Sequence, residues 1–257
     1  MSQTTSNFGE IDRQRLCLLQ KLGIELRHFF DVGASDGCWS RAISEDFPDA
    51  TFELFEPLID HAPAYRKNME ETLAKHPRFR LHKAAMGTEC KRTKMYLYPD
   101  NVVGSTALEL GAAPQGSTPV EVDMLTIDHA VQALKLPVPQ AIKMDTQGCE
   151  LSVLQGAQQT LPQVQVLLLE CWLWRGYGQA TPLLLEVANW LRNFDFHLWD
   201  FGDVYRDESG VLAAQDCIFL NARSKVSRLK EEPRRHTKPV PGGNLLKRAW
   251  NSLGRRT

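Results

Sequence analysis

The sequence predicts an α/β fold: a doubly wound, mainly parallel sheet with helices on both faces and a small β insertion. Strand-like and helix-like segments alternate along most of the chain, as in proteins built on a parallel sheet. A glycine turn follows the first predicted strand, at residues 28–33, and leads into a helix. The chain has 257 residues, 43% of them hydrophobic, which suits one α/β domain with additions or at most two small domains.

The first half of the alternation begins with a helix that has an apolar stripe. Ile11, Leu18, Leu19 and Leu22 supply this stripe. Pro48 and Pro77 stand where the next two helices have to end, because proline interrupts helical hydrogen bonding. These signals predict helix 10–22, strand 28–33, helix 37–47, strand 51–56, helix 60–75 and strand 79–85.

Residues 87–126 interrupt the alternation. Two segments here, 94–98 and 120–125, look like strands, and the loop between them is rich in Gly, Ser, Pro and Ala. They predict the small β insertion. Within this loop, residues 101–106 are either a lid over the site or an ordinary surface loop.

The alternation then resumes and ends in two strands that are close together in sequence. The predicted elements are helix 127–135, strand 140–145, helix 149–160, strand 164–171, helix 181–193, strand 195–200 and strand 216–220. Because no helix separates the last two strands, they are expected to form an antiparallel edge.

Charge divides the chain into an acidic body and a basic tail. Residues 224–257 carry a net charge of +8, and the remaining residues carry −9. We therefore expect a helical extension over 1–27 with disorder over 1–9, a main domain over 28–222, and a basic, partly flexible tail over 223–257. An acidic body argues against a groove that follows nucleic-acid phosphates.

The tail itself allows two interpretations. As a helix, it would place Leu246, Trp250 and Leu253 on one side and basic groups elsewhere, which suits weak attachment to an anionic membrane or to a protein partner. A disordered soluble tail is the alternative, given its glycines. The sequence leaves the oligomeric state open.

The cysteines and the N-terminus predict a cytoplasmic protein, with the tail as a candidate for peripheral membrane contact. Six cysteines are scattered without a C-x-x-C pair, which favours reduced thiols over disulfides or a zinc site. The N-terminus is polar, so no signal peptide is expected. The most apolar stretch, 164–174, is too short to span a bilayer.

The first loop predicts a nucleoside site. Asp31 ends the first strand, Gly33 and Gly37 allow a sharp turn and close helix packing, and Glu56 ends the second strand 23 residues after Gly33. The loop is neither G-x-G-x-x-G nor a P-loop. A carboxylate such as Asp31 would repel a diphosphate but attract a cation, which favours S-adenosylmethionine over NAD. Alternatively, Asp31 only braces the turn.

A second group of charged residues follows strand 140–145. Asp145 ends this strand and is expected at the same edge of the sheet as Asp31 and Glu56. Lys143 lies two residues earlier on the same side of the strand and needs a partner if it is buried. A structural ion-pair network of Lys143, Asp145 and Glu150 is the alternative.

Taken in order, these motifs resemble a known family. They are D-V-G-A-x-x-G from Asp31, F-E-P at 55–57, K-A-A-M-G at 83–87, I-K-M-D-x-Q-G-x-E-x-x-V-L-x-G-A at 142–157, and a strand ending in Glu170. The set resembles the FkbM-type family of S-adenosylmethionine-dependent methyltransferases over residues 28–221. The resemblance implies a class I methyltransferase (Rossmann-like) fold and O-methylation of a sugar, glycan or polyketide-like product. Gln147 departs from it, since the family often has an acidic residue there.

The resemblance also implies roles for individual residues. It places the methionine portion of the cofactor beside Asp31, Gly33, Ala34, Ser35 and Gly37, the ribose on Glu56 next to Pro57, and the adenine beside 84–86, including Ala85. The candidates for catalysis are Asp145 as the first choice of base, Glu170 as the second, and Lys143. Asp145 and Glu170 could instead hold Mg²⁺, but a metal is not predicted.

The segment after Glu170 predicts a wall for the acceptor. Trp172, Trp174, Arg175 and Tyr177 offer aromatic faces that cover sugar rings well, although the Trp residues could equally pack in the core. The sequence as a whole predicts an S-adenosylmethionine-dependent O-methyltransferase that acts on a saccharide, glycoconjugate or related natural product. The alternatives are a nicotinamide-dependent oxidoreductase and a non-catalytic module that binds a nucleoside or a partner.

Overall fold

The computed structural model describes residues 9–98, 102–107 and 115–224. The disorder expected over residues 1–9 falls outside these residues except at Gly9, which precedes α1. The amphipathic segment expected in the basic tail also lies outside them. None of the helices within them is long and apolar enough to cross a membrane.

Six α-helices and ten strands make up the described residues. The helices are α1 (Glu10–Lys21), α2 (Cys38–Ser44), α3 (Pro63–Lys75), α4 (Ile127–Gln132), α5 (Glu150–Gln155) and α6 (Leu184–Leu191). The strands are β1 (His28–Val32), β2 (Thr51–Phe55), β3 (Phe79–His82), β4 (Ala85–Met86), β5 (Lys91–Leu97), β6 (Thr118–Leu125), β7 (Ala141–Met144), β8 (Val166–Trp172), β9 (Phe196–Arg206) and β10 (Leu212–Asn221). Single 3₁₀ turns are formed by Val102–Gly104, Leu161–Gln163 and Arg192–Phe194.

The large sheet has seven strands in the order β3-β2-β1-β7-β8-β10-β9. The five neighbouring strands β3, β2, β1, β7 and β8 are parallel to one another, whereas β10 is antiparallel to both β8 and β9. The predicted mainly parallel sheet and the antiparallel edge are therefore confirmed. The strand order reverses at β1, which lies between β2 and β7, and a crevice opens at such a reversal.

Helices cover both faces of the sheet, as predicted. Helices α1 to α3 pack on one face, where Leu16, Trp39 and Met69 join the core side chains of the strands. Helices α4 to α6 pack on the other face, with Val153 and Leu191 among the buried residues. The strands are apolar on both sides because both sides are covered.

The β insertion is a separate three-stranded sheet in the order β4-β6-β5, and this corrects one predicted element. The predicted strand 79–85 is in fact two strands, because the chain turns after His82, where the Ala84 amide donates to the His82 carbonyl. After this turn, β4 pairs with β6 rather than with the large sheet. The small sheet has its own core around Met95 and Val122.

Other differences concern lengths. The helix predicted over 149–160 ends at Gln155, where Gly156 approaches the Gly87 carbonyl oxygen so closely that an added Cβ would lie 2.0 Å from it. The final two strands are longer than predicted, because β9 and β10 form a continuous hairpin.

Candidate functional site

A cavity of about 220 Å³ opens beside the ends of β1, β2 and β7. It lies at the reversal of strand order, where ligands bind in doubly wound sheets. Most of the residues predicted for the site line this cavity: Gly33, Ala34, Ser35, Glu56, Pro57, Ala85, Lys143 and Asp145. Three predicted residues do not line it, namely Asp31, Gly37 and Glu170.

The turn after β1 brings two strands unusually close together. Gly33 has a φ of 76°, and a Cβ at this position would lie 1.9 Å from the Asp145 carbonyl oxygen. Only glycine fits this combination of dihedral angle and contact. Gly37, with a φ of 78°, lets α2 begin against Leu54 and Met69. The two glycines therefore let β1 and α2 pack tightly beside the cavity.

Glu56 is a buried carboxylate at the end of β2. It is 5% exposed, and its two oxygens accept hydrogen bonds of 2.8 Å from the amides of Ser35 and Leu58. Burial raises the pKa of Glu56 to about 7, and these two bonds only partly counteract this effect. Each oxygen keeps a lone pair that can accept a hydrogen bond from a hydroxyl group of a ligand in the cavity.

Asp31 lies behind the cavity wall. It is fully buried, it accepts a hydrogen bond of 2.7 Å from the Ser40 hydroxyl, and its other oxygen lies 3.5 Å from Lys143 Nζ. Lys143 Nζ also donates to the Gly33 carbonyl oxygen at 3.2 Å and lies 3.5 Å from an Asp145 oxygen. The structure therefore puts Lys143, rather than Asp31, at the surface of the cavity.

The Lys143 ammonium stays charged although the residue is only 8% exposed. Burial by itself would lower the pKa of Lys143, but the carboxylates of Asp145 and Asp31 outweigh it, and the pKa is raised. The ion-pair network of Lys143, Asp145 and Glu150 that the sequence offered as an alternative forms only in part. Glu150 does not join it, and instead accepts hydrogen bonds from the amide and hydroxyl of Thr146.

Three carboxyl groups follow one another across the middle of the sheet. Asp145 and Glu170 directly follow the paired residues Met144 and Leu169, and Glu170 is paired with Asp216 on β10. Burial, together with nearby carboxylates, raises the pKa of Asp216 to about 8 and that of Glu170 well above its ordinary value. Asp145 is the member of this row that lines the cavity, with 27% of its side chain exposed.

Gln147 connects this row to the segment after β8. Its Nε2 donates to Asp145 at 2.8 Å and to Glu170 at 3.4 Å, and its Oε1 accepts from the Tyr177 hydroxyl. Within the described part of the chain, no three His, Cys, Asp or Glu side chains are grouped to hold a metal ion.

The predicted aromatic wall is partly buried. Trp172 is 5% exposed and packs edge-on against Tyr177, with the ring centroids 5.1 Å apart, whereas Trp174 is 42% exposed. Arg175 forms an ion pair with Glu186 at 2.6 Å, so its charge is already balanced. That Trp172, Trp174, Arg175 and Tyr177 bind the acceptor stays a prediction.

Sequence reasoning missed several cavity residues. Tyr65, Met95 and Ala107 carry no motif, and α3 and the insertion bring them to the cavity only through packing. Cys149 also lines the cavity from the position before α5; it lies inside the 142–157 motif but was not singled out. Val102 and Ser105 also line it, so the loop considered as a lid does border the site. Asp216 could have been found, since it is a charged residue within the otherwise apolar strand predicted over 216–220.

Comparison with known families identifies the fold around this cavity. The sequence profile described as "Methyltransferase FkbM domain" matches residues 31–198, about two thirds of the chain. No curated protein matches the chain.

Solved structures that resemble this chain include methyltransferases. Methyltransferase FkbM from Methylobacillus flagellatus KT has 17% sequence identity and a TM-score of 0.51, and the match covers 76% of this chain and 43% of that one. The chain therefore spans less than half the length of this structure. Precorrin-6y C5,15-methyltransferase from Geobacter metallireducens GS-15 has 14% identity and a TM-score of 0.42, with coverage of 80% and 87%. Magnesium protoporphyrin IX methyltransferase from Synechocystis PCC 6803, solved with bound S-adenosylmethionine, has 8% identity and a TM-score of 0.45, with 86% of each chain covered.

Proposed function

This chain belongs to the FkbM family of S-adenosylmethionine-dependent methyltransferases, and we propose that it methylates a hydroxyl group of a saccharide, glycoconjugate or related natural product. The observation that carries this proposal is the Asp145 carboxylate, which lines the cavity at the end of β7 between two groups that hold it, Lys143 and Gln147. A hydroxyl is a poor nucleophile near neutral pH, so its methylation is favoured by a fixed general base, and a carboxylate can serve as one.

The cavity fits the cofactor. The turn Gly33–Ser35 lines the cavity where the methionine portion would lie, and Glu56 offers lone pairs for the two hydroxyls of a ribose. Ala85 and Met86 present an apolar surface suited to adenine. When bound, S-adenosylmethionine supplies an electrophilic methyl group on a sulfonium centre.

In this mechanism, Asp145 accepts the proton of the acceptor hydroxyl as the oxygen takes the methyl group. Lys143 balances the carboxylate charge, and Asp31 acts indirectly by fixing Lys143. The raised pKa of Glu170 makes it a poor base at neutral pH, which ranks it second. Holding the two reactants in line supplies much of the remaining rate.

The test is methyl transfer from S-adenosylmethionine to a panel of neutral, amino and acidic saccharides, followed by mass spectrometry of the products. We expect an O-methylated product from the wild-type protein. Asp145→Asn should lower kcat by roughly 10²–10⁴-fold, while the affinity for S-adenosylhomocysteine changes by no more than about twofold. Glu170→Gln should have a smaller effect on kcat. Full activity of Asp145→Asn would remove Asp145 as the base, and methylation of nitrogen or carbon in other acceptors would overturn the proposed acceptor class.

We also propose that the protein acts in the cytoplasm, with its basic tail in contact with an anionic membrane or protein surface. The net charge of +8 over residues 224–257 supports this proposal. Co-sedimentation of the full chain with phosphatidylserine vesicles, compared with a chain ending at Ser224, tests the membrane contact. Equal binding by both chains would exclude the tail as the attachment.

A further inference from the structure

Gln147 has a backbone conformation that is unusual for its residue type. Its φ is 55°, in the left-handed region, and it lies in the turn between β7 and α5, directly before Gly148. Left-handed backbone is disfavoured for a non-glycine residue. The Thr106 hydroxyl donates to the Gln147 carbonyl oxygen at 2.8 Å and so helps to hold the turn in place.

The side-chain amide uses all its hydrogens inside the site. One N–H donates to Asp145 at 2.8 Å, the other points to Glu170 at 3.4 Å, and the carbonyl oxygen accepts from the Tyr177 hydroxyl. An amide is the side chain that can donate to two carboxyl groups and accept from a phenol at once. A carboxylate at position 147 could donate to neither and would repel the Asp145 carboxylate.

We propose that Gln147 is a positioning residue that fixes the orientation of the Asp145 carboxylate and couples that orientation to Tyr177. The inference rests on the proposed function, in which Asp145 accepts the proton of the acceptor. The amide holds one Asp145 oxygen, Lys143 lies near the other, and the carboxylate is thus prevented from rotating.

Tyr177 extends this arrangement to the segment predicted to border the acceptor. Its ring packs edge-on against Trp172, and its backbone N–H donates to the Thr181 hydroxyl at 3.0 Å. Both contacts hold Tyr177 in place. Burial and the nearby carboxyl groups of Glu170 and Asp145 raise the pKa of Tyr177, so the phenol remains a donor. Gln147 therefore joins the segment after β8 to the proposed base.

Two substitutions separate the amide from the backbone. Gln147→Met keeps the length of the side chain and removes its hydrogen bonds, whereas Gln147→Gly removes the side chain but accepts the left-handed φ. Gln155→Met, at an exposed position of α5, is the matched control. With an acceptor found in the saccharide panel, both Gln147 variants should lose roughly 10- to 100-fold in kcat, with KM for S-adenosylmethionine changed by less than about twofold.

The pH profile distinguishes positioning from a general structural role. Gln147→Glu should change the pH dependence of kcat, because it adds a charge beside Asp145, whereas Gln155→Met should leave the profile as in the wild type. Gln147→Gly should be more thermostable than Gln147→Met, since both lose the hydrogen bonds of the amide but only glycine relieves the strained backbone. Wild-type kcat and pH profile in both Gln147→Met and Gln147→Gly would overturn the proposal.

A spectroscopic measurement tests the same inference without any acceptor. In protein labelled with ¹⁵N-glutamine, the side-chain NH₂ signal that disappears in Gln147→Met belongs to Gln147. We expect this signal to move in Asp145→Asn and in Tyr177→Phe, and to stay in place in the Gln155→Met control. If it moves in neither variant, the proposal is wrong. If it moves as expected but no saccharide is methylated, the hydrogen-bond network stands and the acceptor assignment fails.

Discussion

At the scale of single residues, we expect Glu56 to link cofactor binding to pH. Its pKa is raised to about 7 by burial, and ribose hydroxyls that donate to it would favour the ionised form. Binding should therefore release a proton below about pH 7. We expect the affinity for S-adenosylhomocysteine to rise by up to about tenfold per pH unit between pH 5.5 and 7 and to level off above pH 7.

Calorimetric titrations in buffers of different ionisation enthalpy measure this proton release directly. Glu56→Gln is the matched variant: it should bind more weakly, and its affinity should no longer depend on pH in this range. An affinity of the wild-type protein that is constant from pH 5.5 to 8 would exclude the link.

The second prediction concerns the turn at Gly33. Gly33→Ala places a Cβ 1.9 Å from the Asp145 carbonyl oxygen, so β1 and β7 must separate next to the cavity. We expect a loss of at least about 3 kcal/mol in the free energy of unfolding and loss of S-adenosylhomocysteine binding. Urea denaturation and calorimetry measure these two effects.

Gly210 supplies the control, because its φ is also positive, at 85°, but an added Cβ would meet nothing within 4 Å. Gly210→Ala should cost only the backbone strain, about 1–2 kcal/mol, and should bind the cofactor normally. Equal losses in the two variants would mean that dihedral strain, rather than the close approach of the strands, explains Gly33.

At the scale of elements, a buried polar contact joins α1 to α2 on one face of the sheet. Trp39 Nε1 on α2 donates to Asp12 on α1 at 3.0 Å, and Asp12 is only 4% exposed. Asp12→Leu should leave the indole N–H without a partner and lower the free energy of unfolding by about 1–3 kcal/mol. Asp12→Asn keeps an acceptor oxygen and removes a buried charge, so its stability should be close to that of the wild type. Urea denaturation at pH 7.5 compares the variants, and equal destabilisation by both would show that the charge itself matters.

The sequence was informative about those elements whose pattern is local. Strands β1, β7 and β8 are mostly apolar, and their alternation with helices predicted the parallel sheet and its two covered faces. The turn after β3 was not predicted, because residues 79–86 form one unbroken strand-like run and only pairing with β6 separates them.

The same limit applies to the site. Glycine spacing and carboxylates at strand ends identified Gly33, Glu56 and Asp145, because these depend on the chain's local path. Lys143 lies at the cavity surface in front of Asp31 because β1 and β7 are aligned so that these two residues are neighbours. The spacing of residues along the chain does not reveal this alignment.

At the scale of the whole molecule, buried carboxyl groups determine how stability depends on pH. Burial raises the pKa of Asp12 to about 6, of Glu56 and Glu150 to about 7, and of Asp216 to about 8. A carboxyl group with a raised pKa binds protons more tightly in the folded state, so it stabilises the fold at low pH and loses this effect as pH rises through the raised value. The ligand-free protein should therefore be most stable near pH 5.

Thermal unfolding between pH 5.5 and 8.5 tests this dependence. We expect Tm to fall by roughly 5–10 °C over this range, and to fall less in Asp216→Asn, because that residue then has no proton to lose. A Tm that rises over the range would contradict the assignment of these groups as protonated in the fold.

The position of β10 between β8 and β9 has a consequence for synthesis of the protein. Strand β8, almost entirely apolar, has β7 on one side and β10 on the other, and β10 is the last strand of the sheet to leave the ribosome. Until residue 221 has emerged, one edge of β8 has no partner and is a template for pairing with other nascent chains. Ribosome-bound fragments ending before β10 should therefore depend on chaperones, and this dependence should end abruptly once the whole β9–β10 hairpin is available.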